Sequence, residues 1–122
     1  MVKENSTNSI NKREALVVCP VTITLDKIGG RWKPLILFHL SHGTRRYSEL
    51  KRSIPAITEK MLIQHLRELE KDNLVKRTVM PVVPPHVEYS LTKTGKELSP
   101  VLEAMAAWGL KNNPQKNNPK KR

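Results

Sequence analysis

The sequence predicts a mainly α-helical domain carrying a small β-hairpin. Three observations predict it. Apolar residues recur at helical spacing over most of the chain, alternation with a period of two appears between Val75 and Leu91, and prolines, glycines and capping residues cut these stretches into short elements. The 122 residues suit one domain of ordinary size. Order is expected over residues 10–110, between a disordered Asn- and Ser-rich tail at 1–9 and a basic, Asn- and Pro-rich tail at 111–122. No internal repeat is visible.

The elements follow in order. Proline favours the first position of a helix and pushes the preceding residue to extended geometry, so Cys19 reads as the N-cap of a helix over Pro20–Ile28. Gly29-Gly30 stops it. A second helix runs from near Trp32 to about Leu40, with Pro34 tolerated in its first turn. Leu35, Ile36, Leu37, Phe38 and Leu40 make it a buried central helix that ends at Gly43. Tyr47 is expected in a short extended link, with Ser48 capping a helix over Glu49–Ile54. Pro55-Ala56 makes a turn, Thr58 caps the next helix, and Asn73 takes the left-handed position after Asp72. Val75–Val83 and Val87–Leu91 read as a hairpin with Pro84-Pro85-His86 at its tip. Thr92 begins a last helix with Leu98, Val101, Leu102, Met105 and Trp108 on one side. Helices, a helix-turn-helix, a hairpin and a closing helix in this order make a winged helix-turn-helix arrangement.

A net charge of +11 and a pI of about 10.1 point to a polyanionic partner: DNA, RNA or an anionic membrane surface. Five of the basic residues (Lys111, Lys116, Lys120, Lys121, Arg122) lie in the tail, yet the body remains basic without them. Aromatic residues make up 4%, which argues against a stacking platform for single strands. The length and modest apolar content argue against a large enzyme with a second domain. The longest apolar stretch, Leu35–Phe38, is far too short to span a bilayer, so no transmembrane segment is expected, and no membrane is expected among the partners. Met1 to Asn11 is polar and lacks the apolar core of an export signal, so a cytoplasmic, nucleoid-associated protein is expected.

The helix over Thr58–Asp72 carries the function. At about 100° per residue, Leu62, Leu66 and Leu69 cluster on one side, while Lys60, Gln64, Arg67 and Lys71 form the opposite stripe. Lys and Arg reach guanine edges or phosphates, and Gln pairs bidentately with adenine in the major groove. An ordinary solvated helix face has the same composition; the neighbouring turn and hairpin shift the balance toward DNA. Thr58, Met61 and His65 belong to the same candidate surface. Arg46 and Lys51, together with Arg45 and Arg52, are candidates for phosphate contact, and Arg77 and His86 for contact by the hairpin.

Other chemistry is sparse. Cys19 is the one cysteine, so no internal disulfide forms. It has two readings. A thiol at a helix N-cap sits at the positive end of the helix dipole, which favours reaction with oxidants or electrophiles; a small buried apolar residue is the other. His39 and His42 lack neighbours to complete a metal set, so no metal is expected. Gly29-Gly30 lacks phosphate-loop spacing, and Ser48 has no catalytic motif around it. No cofactor and no enzymatic activity are expected.

Several segments resemble one family, the HxlR-type winged helix-turn-helix transcriptional regulators, bacterial relatives of the MarR group. They are Cys19-Pro20-Val21, Ile28-Gly29-Gly30-Arg31-Trp32-Lys33, Tyr47-Ser48-Glu49-Leu50-Lys51, Leu66-Arg67-Glu68-Leu69-Glu70, the run from Val83 to Thr92, and Trp108-Gly109. The resemblance implies a homodimer formed by helices from the two chain ends. It also implies a pseudo-palindromic DNA operator bound through Thr58–Asp72 and the wing. Some family members sense aldehydes, quinones or disulfide stress through a cysteine at the position of Cys19, which adds weight to its reactive reading and to an electrophile or oxidant as effector. Tyr47 stands where Phe is usual, Thr58 for Ser, Asn73 for Gly, and His86 for a basic residue. The function expected is a sequence-specific DNA-binding regulator, a repressor rather than an activator. A basic RNA- or ribosome-associated protein fits the charge as well, and a protein-interaction module that kept the fold is a third reading.

Overall fold

The computed structural model describes residues 19–117. The expected tail at 1–9, residues 10–18, and Lys120, Lys121 and Arg122 lie outside the described residues. The chain divides into two compact units after Gly30.

The first unit contains α1 (Pro20–Ile28). Cys19 is its N-cap in extended geometry, with φ −62° and ψ 128°, as a residue before proline requires. Gly29 donates its N–H to the Leu25 carbonyl at 2.7 Å, and a Cβ at that position would collide with the same carbonyl. Val21, Ile23 and Leu25 are exposed, while Ile28 is buried.

The second unit begins with α2 (Trp32–Ser41), whose Ile36, Leu37 and Leu40 are buried. Gly43 follows at φ 141°, a conformation that side chains disfavour. Strand β1 (Arg45–Arg46) and helix α3 (Tyr47–Ser53) come next. Here the expected cap is corrected: Arg46, not Ser48, is the N-cap, and Tyr47 opens the helix rather than lying in a link. The Arg46 backbone N–H donates to Glu49 Oε1 at 2.8 Å, so the carboxylate of the third helical residue satisfies the helix start.

Ile54 and Ile57 are buried at either end of the turn into α4 (Glu59–Lys71). Thr58 caps α4, accepting the Met61 N–H at 3.1 Å. Leu62, Leu66 and Leu69 are at most 1% exposed and, with Ile36, Leu37, Leu50 and Ile57, form the packed centre of the unit. Asn73 takes the left-handed conformation at φ 60°.

Strands β2 (Val75–Met80) and β3 (His86–Leu91) pair antiparallel, from Val75 opposite Leu91 to Met80 opposite His86. The connecting loop is therefore Pro81–Pro85, and His86 belongs to the strand rather than the tip. Proline has no N–H to donate, so pairing stops at Met80, before Pro81. β1 adds to the other side of β3, Arg45 opposite Tyr89 and Arg46 opposite Glu88, making a three-stranded sheet in the order β1-β3-β2.

The single helix expected after Thr92 is two: α5 (Lys93–Lys96) and α6 (Ser99–Lys111). Thr92 caps α5 by accepting the Gly95 N–H at 3.0 Å, and its hydroxyl donates to the Asn73 carbonyl at 2.7 Å. Gly95 is required there, because a Cβ would run into the Leu74 carbonyl. Pro100 starts α6 afresh. Leu102 is its one buried residue; Val101, Met105 and Trp108 of the expected stripe are exposed. A 3-10 turn at Pro114–Asn117 falls inside the segment expected to be a disordered tail.

Candidate nucleic-acid interface

The surface is built on α4. Three leucines hold one side in the centre of the unit, which turns the side chains half a turn away outward. Lys60, Gln64, Arg67 and Lys71 are all exposed, as is Met61 beside them. The expected stripe is thus one continuous solvent-facing row. His65 differs: it is half-buried, both ring nitrogens are buried without a hydrogen bond among the described residues, and Nδ1 lies 3.7 Å from Glu68 Oε1.

Sequence reasoning missed Glu68. It sits one turn after Gln64, at the edge of the cationic row. Lys33 Nζ on α2 is 2.7 Å from its Oε1, and Gln64 Nε2 donates to its Oε2 at 3.3 Å. The Lys33 ammonium, followed by the Gln64 amide, holds this carboxyl below the usual carboxylate range. The link from Lys33 crosses between helices, so no local sequence pattern announces it.

The wing rises beside α4. A cleft of about 590 Å³ separates them, with Arg67 on one side and Arg77 on the other. Opposite residues of an antiparallel pair share a face, so Arg77 stands beside Tyr89. The Tyr47 hydroxyl at the cleft is buried and has no hydrogen-bond partner among the described residues. Burial, reinforced by the charge of Glu59, pushes its pKa up.

The remaining candidates are spread around this centre. Arg46 is exposed on β1 and Lys51 is half-buried on α3. Arg45 and Arg52 line a shallow depression with Glu49. His86 Nε2 lies 2.9 Å from Glu88 Oε2, so its ring is engaged along its own strand instead of reaching forward from the tip. Cys19 is a free thiol, exposed in the single chain at the N-cap of α1. His42 packs edge-on against Phe38 and approaches Glu103 at 3.6 Å. Among the described residues no cluster of three or more potential metal ligands occurs.

A helix with an outward cationic face, entered by a tight turn and flanked by a two-stranded wing, is the DNA-reading unit of winged-helix proteins. The family model for HxlR-like helix-turn-helix proteins matches residues 27–117. The chain belongs to the HxlR-like family. It is 50% identical over 93 residues to the HTH-type transcriptional regulator YdeP of Bacillus subtilis, covering 76% of this chain and 73% of that one. Its structure is similar to that of the redox regulator HypR in its oxidized form, with a TM-score of 0.75 and 48% identity over 78% of this chain and 98% of HypR. It is also similar to diamide-treated YodB from B. subtilis, at a TM-score of 0.65 and 37% identity, covering 79% of this chain and 96% of YodB. This HxlR-like chain is a DNA-binding transcriptional regulator, not an enzyme. Among the described residues no helix is long and apolar enough to cross a membrane.

Proposed function

We propose that this regulator is a cytoplasmic, nucleoid-associated repressor that binds a pseudo-palindromic operator as a homodimer. The observation that carries the reading is the exposed row Lys60, Gln64, Arg67 and Lys71 on a helix anchored by three buried leucines. Each copy of α4 enters a major groove, and two half-sites lie about 34 Å apart, one turn of the duplex. Gln64 and Arg67 read base edges; Lys60, Lys71, Lys51 and Arg46 bind phosphates; Arg77 supports the wing's approach. Thr58 and Met61 line the start of the same helix, with His65 packed beneath it and His86 a weaker contributor held by Glu88.

Two features support the dimer. The outer helix α6 exposes Val101, Met105, Trp108 and Leu110, and α1 exposes Val21, Ile23 and Leu25. Such clusters of large apolar side chains favour burial against a protein partner.

Control through Cys19 is the second part of the reading. The thiol is exposed and free, and two structurally similar proteins are known in oxidized or diamide-treated forms. Modification by an oxidant or electrophile at the start of α1 changes the geometry of the dimer and hence its fit to DNA. Cys19→Ser is expected to bind operator normally and to stay bound after diamide treatment. Release equal to that of the wild type would remove the sensing role.

The base-reading part is tested by electrophoretic mobility shift on operator and on random duplex at fixed salt. Arg67→Ala and Gln64→Ala are expected to weaken operator binding by roughly tenfold or more, with a much smaller loss on random DNA. Equal losses on both would take base reading away from α4. Stronger binding of structured RNA than of any duplex would favour the RNA-associated alternative.

A further inference from the structure

We infer that Lys33 and Glu68 set the base preference of this regulator by locking the Gln64 amide in the orientation that pairs with adenine. This rests on the reading of Gln64 as a base-contacting residue.

Glu68 is an unusual group for its position. A carboxylate at the edge of a DNA-facing row repels phosphate, and simple electrostatics would leave it out. Its two oxygens, however, have separate tasks. Oε1 receives Lys33 Nζ at 2.7 Å, and Oε2 accepts from Gln64 Nε2 at 3.3 Å. The Lys33 side chain is only 14% exposed, against 43% for Glu68, so the ammonium lies on the protein side of the carboxylate. Lys33 thus offsets the charge of Glu68 without itself reaching the duplex. The hydrogen bonds from Lys33 and Gln64 also lower the pKa of this carboxyl.

An ionised carboxylate only accepts hydrogen bonds. The amide of Gln64 must therefore turn its nitrogen toward Glu68 and its oxygen away. A primary amide carries two N–H bonds. In the proposed arrangement the one directed away from its own oxygen serves Glu68, which leaves the other alongside the oxygen on the free edge. That edge presents one acceptor and one donor side by side, the pattern that pairs with N6 and N7 of adenine. An unrestrained glutamine presents both orientations and pays an entropic cost to choose one on binding. Here the choice is made before DNA arrives. Glu68 is the orienting group, and Lys33 is a positioning residue acting through it.

The test uses the full-length protein, a duplex enriched by the wild type from a random-sequence pool, and its single-base variants. Gln64→Ala is expected to lose roughly tenfold preference for adenine at one base pair per half-site. Lys33→Met and Glu68→Gln are expected to lose most of that preference at the same base pair and at no other. Glu68→Gln presents both a donor and an acceptor, so it releases the amide while keeping the shape of the side chain. Lys33→Arg is expected to retain the preference. The double variant carrying Lys33→Met and Gln64→Ala should be no less selective than Gln64→Ala alone. Thermal melting of each variant reports whether the fold is intact.

If Gln64→Ala changes the preference while folded Lys33→Met and Glu68→Gln keep it, or weaken all duplexes alike, the locking role is wrong and the base contact stands. If Gln64→Ala leaves every preference unchanged, the base contact fails and the locking role with it.

Discussion

Helices α4 and α6 each span thirteen residues, yet they solve opposite problems. α4 buries three leucines and turns lysine, arginine and glutamine outward. α6 buries Leu102 alone and leaves Met105 51% and Trp108 69% exposed. One outward face is cationic and polar, the other largely apolar. The contrast teaches that a solvent-facing helix must be read by what its uncovered side chains can bind, not by its amphipathicity alone. A strongly two-sided helix such as α4 turns its polar side chains to solvent; α6 leaves large apolar side chains uncovered among the described residues.

The sharpest way to break this contrast is in the leucine layer of α4. Leu66→Ala is expected to destabilise the protein by about 2–5 kcal/mol, through lost burial and the cavity left behind. Urea unfolding measures it; a loss under 1 kcal/mol would mean that α4 is not anchored as described. On α6, Trp108→Ala is expected to weaken self-association by about 2 kcal/mol, roughly thirtyfold in dissociation constant, with the far-ultraviolet circular dichroism preserved. Sedimentation velocity across a concentration series separates the outcomes. Loss of helical signal would make Trp108 a folding residue instead. The smallest expected effect tests the seam between α4 and the wing. Tyr47→Phe removes a buried hydroxyl that has no partner among the described residues, and should stabilise the protein by about 1 kcal/mol in the same urea assay. A loss of stability would reveal a hydrogen bond to that hydroxyl.

What the sequence made legible was local. The leucine spacing of α4, the Thr58 cap, the left-handed Asn73 and the Pro20 start each depend on residues within one or two turns, and each stands where the pattern predicted. The misreadings have physical causes. Arg46 is a poor capping side chain, and the α3 cap works through its backbone N–H, supplied with an acceptor three residues later by Glu49. Pro81 already carried the signal that strand pairing stops at Met80, but the pair Pro84-Pro85 drew the turn too far along. Thr92 and Pro100 are two separate helix starts, which a continuous apolar stripe concealed. At the site, the cationic row was readable because it lies on one helix. The Lys33–Glu68 pair and the cleft between Arg67 and Arg77 were not, since both require knowing which elements pack together.

Strand β1 has a consequence for how such a protein can be governed. Two residues bond the entry of the helix-turn-helix to the inner strand of the wing, and Thr92 ties the wing's exit back to the end of α4. The reading head is thereby cross-braced at both ends. A braced head offers a signal little to bend, so in the dimer proposed above a signal is expected to act on the spacing between the two heads, moving one of them out of phase with the next turn of the double helix.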